Sequence, residues 1–161
     1  MTISVKKMYD AYIQGDLKVC LEYQRGVKWK RSQQVWLIDA LLRGTEIPVF
    51  YVHQKQEEPD TLWGKTKVAP CGYIVDGQQR LNAIADFIQN KDHNFILPSM
   101  HDPRLFTIRG ESPTWAGKTF ESLTDEDKDC FLNRELFVVK IDADDDAVRE
   151  FFISLQEGKP L

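Results

Sequence analysis

The sequence predicts a small mixed α/β fold, and three observations carry that prediction. Apolar residues recur at helical spacing in some segments and as short compact runs in others, so helices and strands both have places to form. The two kinds of segment interleave without the strict strand–helix–strand rhythm of a doubly wound sheet. The chain's 161 residues, 42% of them apolar, suit one hydrophobic core that needs no disulfide or metal. A single domain over residues 1–161 is expected.

The elements follow in order. Val5, Met8, Tyr9, Tyr12 and Ile13 read as the inward face of a first helix, with Gly15 as its stop. Residues 18–21 read as a short strand. Ser32 is placed to cap a second helix that turns Val35, Trp36, Ile38, Leu41 and Leu42 inward and ends at Gly44. A strand follows Pro48 over 49–52. Residues 54–70, polar and carrying two prolines and a glycine, read as a loop or the tip of a long hairpin.

Residues 72–75 form a compact apolar strand ending at Asp76. Gly77 opens a helix whose inward stripe is Leu81, Ile84, Ala85 and Ile88. Two short strands are expected over 94–97 and 105–108. Thr124 caps a short helix over 125–132, residues 136–141 make the last strand, and 144–155 the last helix. The pattern contains no internal repeat or low-complexity segment. The last helix is apolar around much of its girth, and the sequence stops on the turn signal Gly158-Lys159-Pro160-Leu161. Both features read as a domain cut from something longer.

Composition narrows the function classes. A net charge of −4 argues against a general electrostatic grip on DNA by the chain as a whole. No apolar run approaches the roughly 20 residues needed to cross a bilayer, so no membrane partner is expected. The N-terminus lacks an apolar signal core. Cys20, Cys71 and Cys130 form no CxxC pair, which suits a reducing cytoplasm and buried free thiols. Charge is nevertheless uneven. Arg25, Lys28, Lys30 and Arg31 put four cations into seven residues around Trp29, whereas Asp142, Asp144, Asp145 and Asp146 form an acidic run that reads as a solvated face.

The turn Asp76-Gly77-Gln78-Gln79-Arg80 stands out as the functional centre. A strand that ends in Asp-Gly and turns into a helix presents unpaired backbone N–H groups and the positive end of a helix dipole, which suit phosphate. Gly77 lets the backbone come close to a ligand. Arg80 offers a charged fork for phosphate oxygens. Gln78 and Gln79 can serve a base, a ribose or a metal-bound water, and Asp76 can hold a divalent cation beside the phosphates. A purely structural reading stays open, because Asp76-x-x-Gln79 is close to a capping box that needs no ligand. The second motif, Tyr23-Gln24-Arg25-Gly26-Val27-Lys28-Trp29, also lies at a strand-to-helix junction. There Trp29 either stacks on a base or packs beneath the following helix.

Several patterns are set aside. Ala116-Gly117-Lys118-Thr119 looks like the end of a P-loop, but Ser112 stands where the first glycine is required. His53, His93 and His101 lack metal-ligand spacing and read as surface histidines. No nucleophile elbow and no spaced Cys/His pair is present.

Through these two motifs together the sequence resembles the N-terminal domain family of GmrSD-type restriction endonucleases, within the ParB/sulfiredoxin-like superfamily. The matching stretches are Tyr23-Gln24-Arg25 with Trp29, the run from Leu37 to Gly44 with Ile47-Pro48, and Asp76-Gly77-Gln78-Gln79-Arg80-Leu81. The stretch from Phe120 through Phe151-Phe152 to Gly158 fits the closing pattern. Val27 stands where the family usually has an aromatic, and Leu155-Gln156 where it usually has an asparagine nearby.

The resemblance implies a ParB-like mixed sheet with flanking helices, in a prokaryotic defence role. It also implies a following helical region and a C-terminal nuclease beyond residue 161. Nucleotide binding or hydrolysis is associated with the Asp-Gly-Gln-Gln-Arg motif, and ParB relatives bind and hydrolyse CTP at an equivalent turn. The implied partner is a nucleoside triphosphate with Mg²⁺, held through Gln24, Arg25, Gly77, Gln78, Gln79 and Arg80. Asp76 would take the metal, and Asp76, Gln79 and Arg80 would carry any hydrolysis. Sulfiredoxin chemistry is rejected, because Cys71 lies five residues before Asp76, roughly 16 Å along an extended strand. Two other readings remain: a DNA-binding module using Arg25, Lys28, Trp29, Lys30 and Arg31, and a nuclease centred on Asp76. The nuclease is the weaker, since metal-dependent phosphodiester cleavage usually wants several carboxylates.

Overall fold

The structure, a computed structural model, describes residues 1–19, 28–54, 72–99 and 113–157. Among the described residues, five strands form one mixed sheet: β1 (Thr2–Ser4), β2 (Leu17–Val19), β3 (Phe50–His53), β4 (Gly72–Asp76) and β5 (Glu135–Ile141), in the order β1-β5-β3-β4-β2. β5 runs antiparallel to β1, with Thr2 opposite Phe137, and parallel to β3, with Phe50 opposite Val138. β4 runs antiparallel to β3 and parallel to β2. The helices are α1 (Val5–Gln14), α2 (Arg31–Arg43), α3 (Gln78–Gln89), α4 (Asp125–Leu132) and α5 (Asp145–Glu157). The mixed α/β class read from the sequence is the observed one. Both parallel pairs join strands far apart in the chain, as parallel pairing requires.

The chain divides into two compact units. The first comprises Met1–Gly26, Pro48–Gln78 and Glu135–Leu161, and carries the sheet with α1 and α5. Ser4 caps α1 by accepting the Lys7 N–H at 3.1 Å, and Gly15 closes it in the left-handed region at φ 86°. The buried face of α1 is Val5, Met8 and Ala11, while Tyr9 and Tyr12 are half-buried and Ile13 is exposed. The stripe read from the sequence favoured the larger side chains; packing favoured the face at i, i+3 and i+6, which passes through a small alanine. On β4, Val75 packs with Val148 and Phe152 of α5, and Tyr51 meets Phe151 edge-on at 4.9 Å. The apolar girth of α5 is therefore mostly used, with Phe152 buried and Phe151 half-buried; Ile153 stays exposed.

The second unit comprises Val27–Ile47 and Gln79–Arg134 and is helical among its described residues. Its centre is a set of edge-to-face rings, with Phe87 against Phe95, Phe120 and Phe131 at 5.1, 5.7 and 5.4 Å. α3 buries Leu81, Ile84 and Ala85 as expected, adds Ala83 and Phe87, and leaves Ile88 half-buried. Thr124 caps α4 as read, accepting the Asp127 N–H at 3.1 Å.

Three expectations in this unit are corrected. The N-cap of α2 is Lys30, whose N–H is taken by the Gln33 side-chain oxygen at 2.8 Å, so Ser32 lies within the first turn. Trp36 is 64% exposed, whereas Gln34 and Asp39 are buried. Those polar residues go inward because partners meet them. Gln34 donates to Asp86 at 2.9 Å, and Asp39 accepts from Trp115 Nε1 at 2.8 Å and from Arg43 Nε at 2.7 Å. Residues 94–97 are not a strand. Phe95 N–H donates to the Asn90 side chain and Leu97 N–H to the Lys118 carbonyl, both at 2.9 Å, so the segment is pinned as irregular chain. The expected elements over 20–21, 55–70 and 105–108 lie outside the described residues.

Candidate functional site

The 76–80 turn begins where β4 ends. Val75 is fully buried, and Asp76 is half-buried opposite Tyr51 of β3. Gly77 then takes φ 112°, a region that side-chain-bearing residues rarely enter. It precedes α3 rather than forming its first helical residue, which corrects the expectation that Gly77 opens the helix. A Cβ at this position would lie 2.9 Å from Phe50 Cε1 and nearer still to Cδ1, and Phe50 is fully buried. The close approach that requires glycine here is therefore to the Phe50 ring.

Both glutamines turn toward the protein. Gln78 is buried, with its Nε2 donating to the Ile74 carbonyl at 3.4 Å. Gln79 is half-buried, and its side-chain oxygen accepts the Trp29 N–H at 3.1 Å, a partner 50 residues away in the chain. That bond gives Gln79 a tertiary role that a local capping box does not describe. Arg80, in the first turn of α3, is only 7% exposed. Asp76, Gln78 and Arg80 all make further interactions within the protein. The opening of α3 gives the turn the positive end of a helix dipole, and Arg80 adds a charge in the same turn.

The basic cluster splits by role. Lys28 and Lys30 are exposed and Trp29 is half-buried. Arg31 is taken up by the fold: it donates to Gln34 at 2.9 Å and Asn94 at 3.1 Å, and lies 4.1 Å over the Phe95 ring. Gln24 and Arg25 lie outside the described residues.

Other expectations are settled locally. His53 is not a surface residue but 1% exposed, with Nε2 2.9 Å from the Ala143 carbonyl and Nδ1 without a hydrogen-bond partner. His93 is exposed at φ 56°, and His101 lies outside the described residues. Cys130 is exposed rather than buried; Cys20 and Cys71 lie outside the described residues. In the acidic run Asp142, Asp144 and Asp146 are exposed, and Asp144 accepts the Ala147 N–H at 2.8 Å and so caps α5. Among the described residues, no group of three His, Cys, Asp or Glu is placed to hold a metal ion. No helix among them is long and apolar enough to cross a membrane.

The sequence reading missed Trp36, which lines a groove of about 300 Å³ with Trp29, Ser32 and Gln33. Its signal was present in Ser32 and Gln33, polar residues four and three positions before Trp36 and so on the same helix face.

Comparison with known proteins adds one finding. No curated protein and no solved structure gives a significant match. The family model described as GmrSD restriction endonuclease, N-terminal domain, matches residues 5–161, nearly the whole chain. The chain therefore belongs to the family of GmrSD restriction endonuclease N-terminal domains.

Proposed function

We propose that the 76–80 turn binds the phosphates of a nucleoside triphosphate, and that the domain regulates a prokaryotic restriction system through that binding. The observation that carries this reading is Arg80: an arginine only 7% exposed, in the first turn of a helix that opens from a strand end. A guanidinium beside a helix N-terminus adds its charge to the positive end of the helix dipole, and the two together favour an anion at that end. Charge-assisted bonds from Arg80 and the N–H groups of residues 78–80 hold the phosphate oxygens. With its oxygen committed to Trp29, Gln79 contributes its side-chain N–H.

Asp76 is the residue that would hold Mg²⁺. One carboxylate is a reasonable donor set, because Mg²⁺ usually binds one or two carboxylates together with substrate phosphates and waters. The ion supplies charge neutralisation. Phosphoryl transfer to water asks a protein chiefly for positioning and stabilisation of charge, and Arg80 and Gln79 are the residues assigned to those tasks.

The test is a thermal-shift panel of ATP, GTP, CTP and UTP, each with Mg²⁺, on wild type and Arg80→Ala. At 100 times its dissociation constant a ligand stabilises by about 2.7 kcal/mol. At about 2–4 °C per kcal/mol for a chain of this size, one nucleotide should raise Tm by about 5–11 °C. Arg80→Ala, folded by circular dichroism, should bind at least tenfold more weakly. Silence across all four nucleotides in the wild type would refute the proposal.

A further inference from the structure

The groove beside the N-terminal turn of α2 is a site that the phosphate turn does not use. Its walls are Trp29, Ser32, Gln33 and Trp36, and its volume of about 300 Å³ lies at the small end of ligand pockets. Trp36 is 64% exposed in the middle of a helix whose opposite side is buried. A large indole held exposed on a rigid element presents a flat face on which another ring can stack. Trp29 is held at the groove by its backbone, since its N–H is anchored on Gln79 at 3.1 Å. Gln33 has its side-chain oxygen tied to the Lys30 N–H at 2.8 Å, so a ligand would meet its amide N–H₂; the Ser32 hydroxyl lies beside it.

Charge selects the occupant. From Lys28 to Trp36 the chain has three cations and no acidic residue, in a protein whose net charge is −4. Arg31 serves the fold, which leaves Lys28 and Lys30 exposed beside the indoles. Aromatic rings with flanking cations and a few hydrogen-bonding edges are the arrangement that binds single-stranded nucleic acid: bases stack on the rings and phosphates meet the lysines. An apolar protein segment would make no use of the two lysines, and a nucleoside monophosphate would leave one of them without a phosphate.

We infer that the Trp29–Trp36 groove takes an unpaired base of a DNA strand, with Lys28 and Lys30 on the adjoining phosphates. This goes beyond the nucleotide reading and does not depend on it, because no residue lining the groove belongs to the 76–80 turn.

Fluorescence anisotropy of a labelled oligothymidylate of about 12 nucleotides, within the roughly 4–16 that such grooves cover, tests it on the whole chain. The wild type should bind the strand, and intrinsic tryptophan emission should be quenched in parallel. Two phosphate contacts on a single strand give a log–log salt slope of about −1.4, so affinity should fall about sevenfold between 50 and 200 mM salt. Trp36→Ala replaces an exposed side chain with a strong helix former. It should leave Tm unchanged and weaken binding at least fivefold. Lys28→Ala with Lys30→Ala should flatten the salt slope. Any one of four results would overturn the inference: no strand binding by the folded wild type, equal affinity for a duplex of the same sequence, full affinity in Trp36→Ala, or thymidine monophosphate binding as tightly as the strand. A failure of nucleotides to shift Tm would leave this result untouched, and the converse also holds.

Discussion

Replacing Gly77 with alanine should damage the fold before it damages any binding. Two separable costs arise at that position. The backbone sits at φ 112°, where a residue bearing Cβ pays about 1–3 kcal/mol in strain. The new Cβ would also stand 2.9 Å from Cε1 and closer to Cδ1 of Phe50, a ring with no exposed surface and no room to retreat, which adds about 1–3 kcal/mol of overpacking. Together these make about 2–6 kcal/mol, a large part of the roughly 5–15 kcal/mol that holds a domain folded. At about 2–4 °C per kcal/mol, Tm should drop by about 4–24 °C.

Urea unfolding followed by circular dichroism gives the free energy directly. A second variant separates the two costs. Phe50→Val removes the δ and ε atoms that Cβ would strike, so the double variant should be at least about 1 kcal/mol more stable than the summed single effects. Gly77→Ala within about 0.5 kcal/mol of wild type would refute both arguments. Strict additivity in the double variant would refute the contact with Phe50 and leave only the backbone.

Two further outcomes follow from the second unit. Asp39→Ala removes the acceptor of Trp115 Nε1 and one partner of Arg43, whose side chain is only 14% exposed; it should cost about 1–3 kcal/mol in urea unfolding, and a loss below about 0.5 kcal/mol would show that these bonds are idle. Gln79→Ala removes the acceptor of the Trp29 N–H in a half-buried setting. It should cost about 0.5–1.5 kcal/mol and change the tryptophan emission, and an unchanged spectrum would mean that the bond does not hold Trp29.

The sequence by itself determined the features whose causes lie within a few residues. Ser4-to-Lys7 and Thr124-to-Asp127 contacts span three positions, and Gly15 and Gly44 end their helices because the left-handed region suits glycine. The same locality made the 76–80 turn legible as a strand-to-helix junction. It also made the family legible, since the motifs that carry it are short strings. The tertiary structure decided everything that depended on a distant partner. Gln34 and Asp39 go inward, and Trp36 outward, because Asp86, Trp115 and Arg43 stand where they can satisfy buried polar atoms. Gly77 serves Phe50, and the Gln79 oxygen serves Trp29, across 27 and 50 positions of chain. His53 is enclosed although its residue type reads as surface. Periodicity reports how apolar a helix face is, but a buried polar group is paid for by its partner, and that partner's position exists only once the chain has folded.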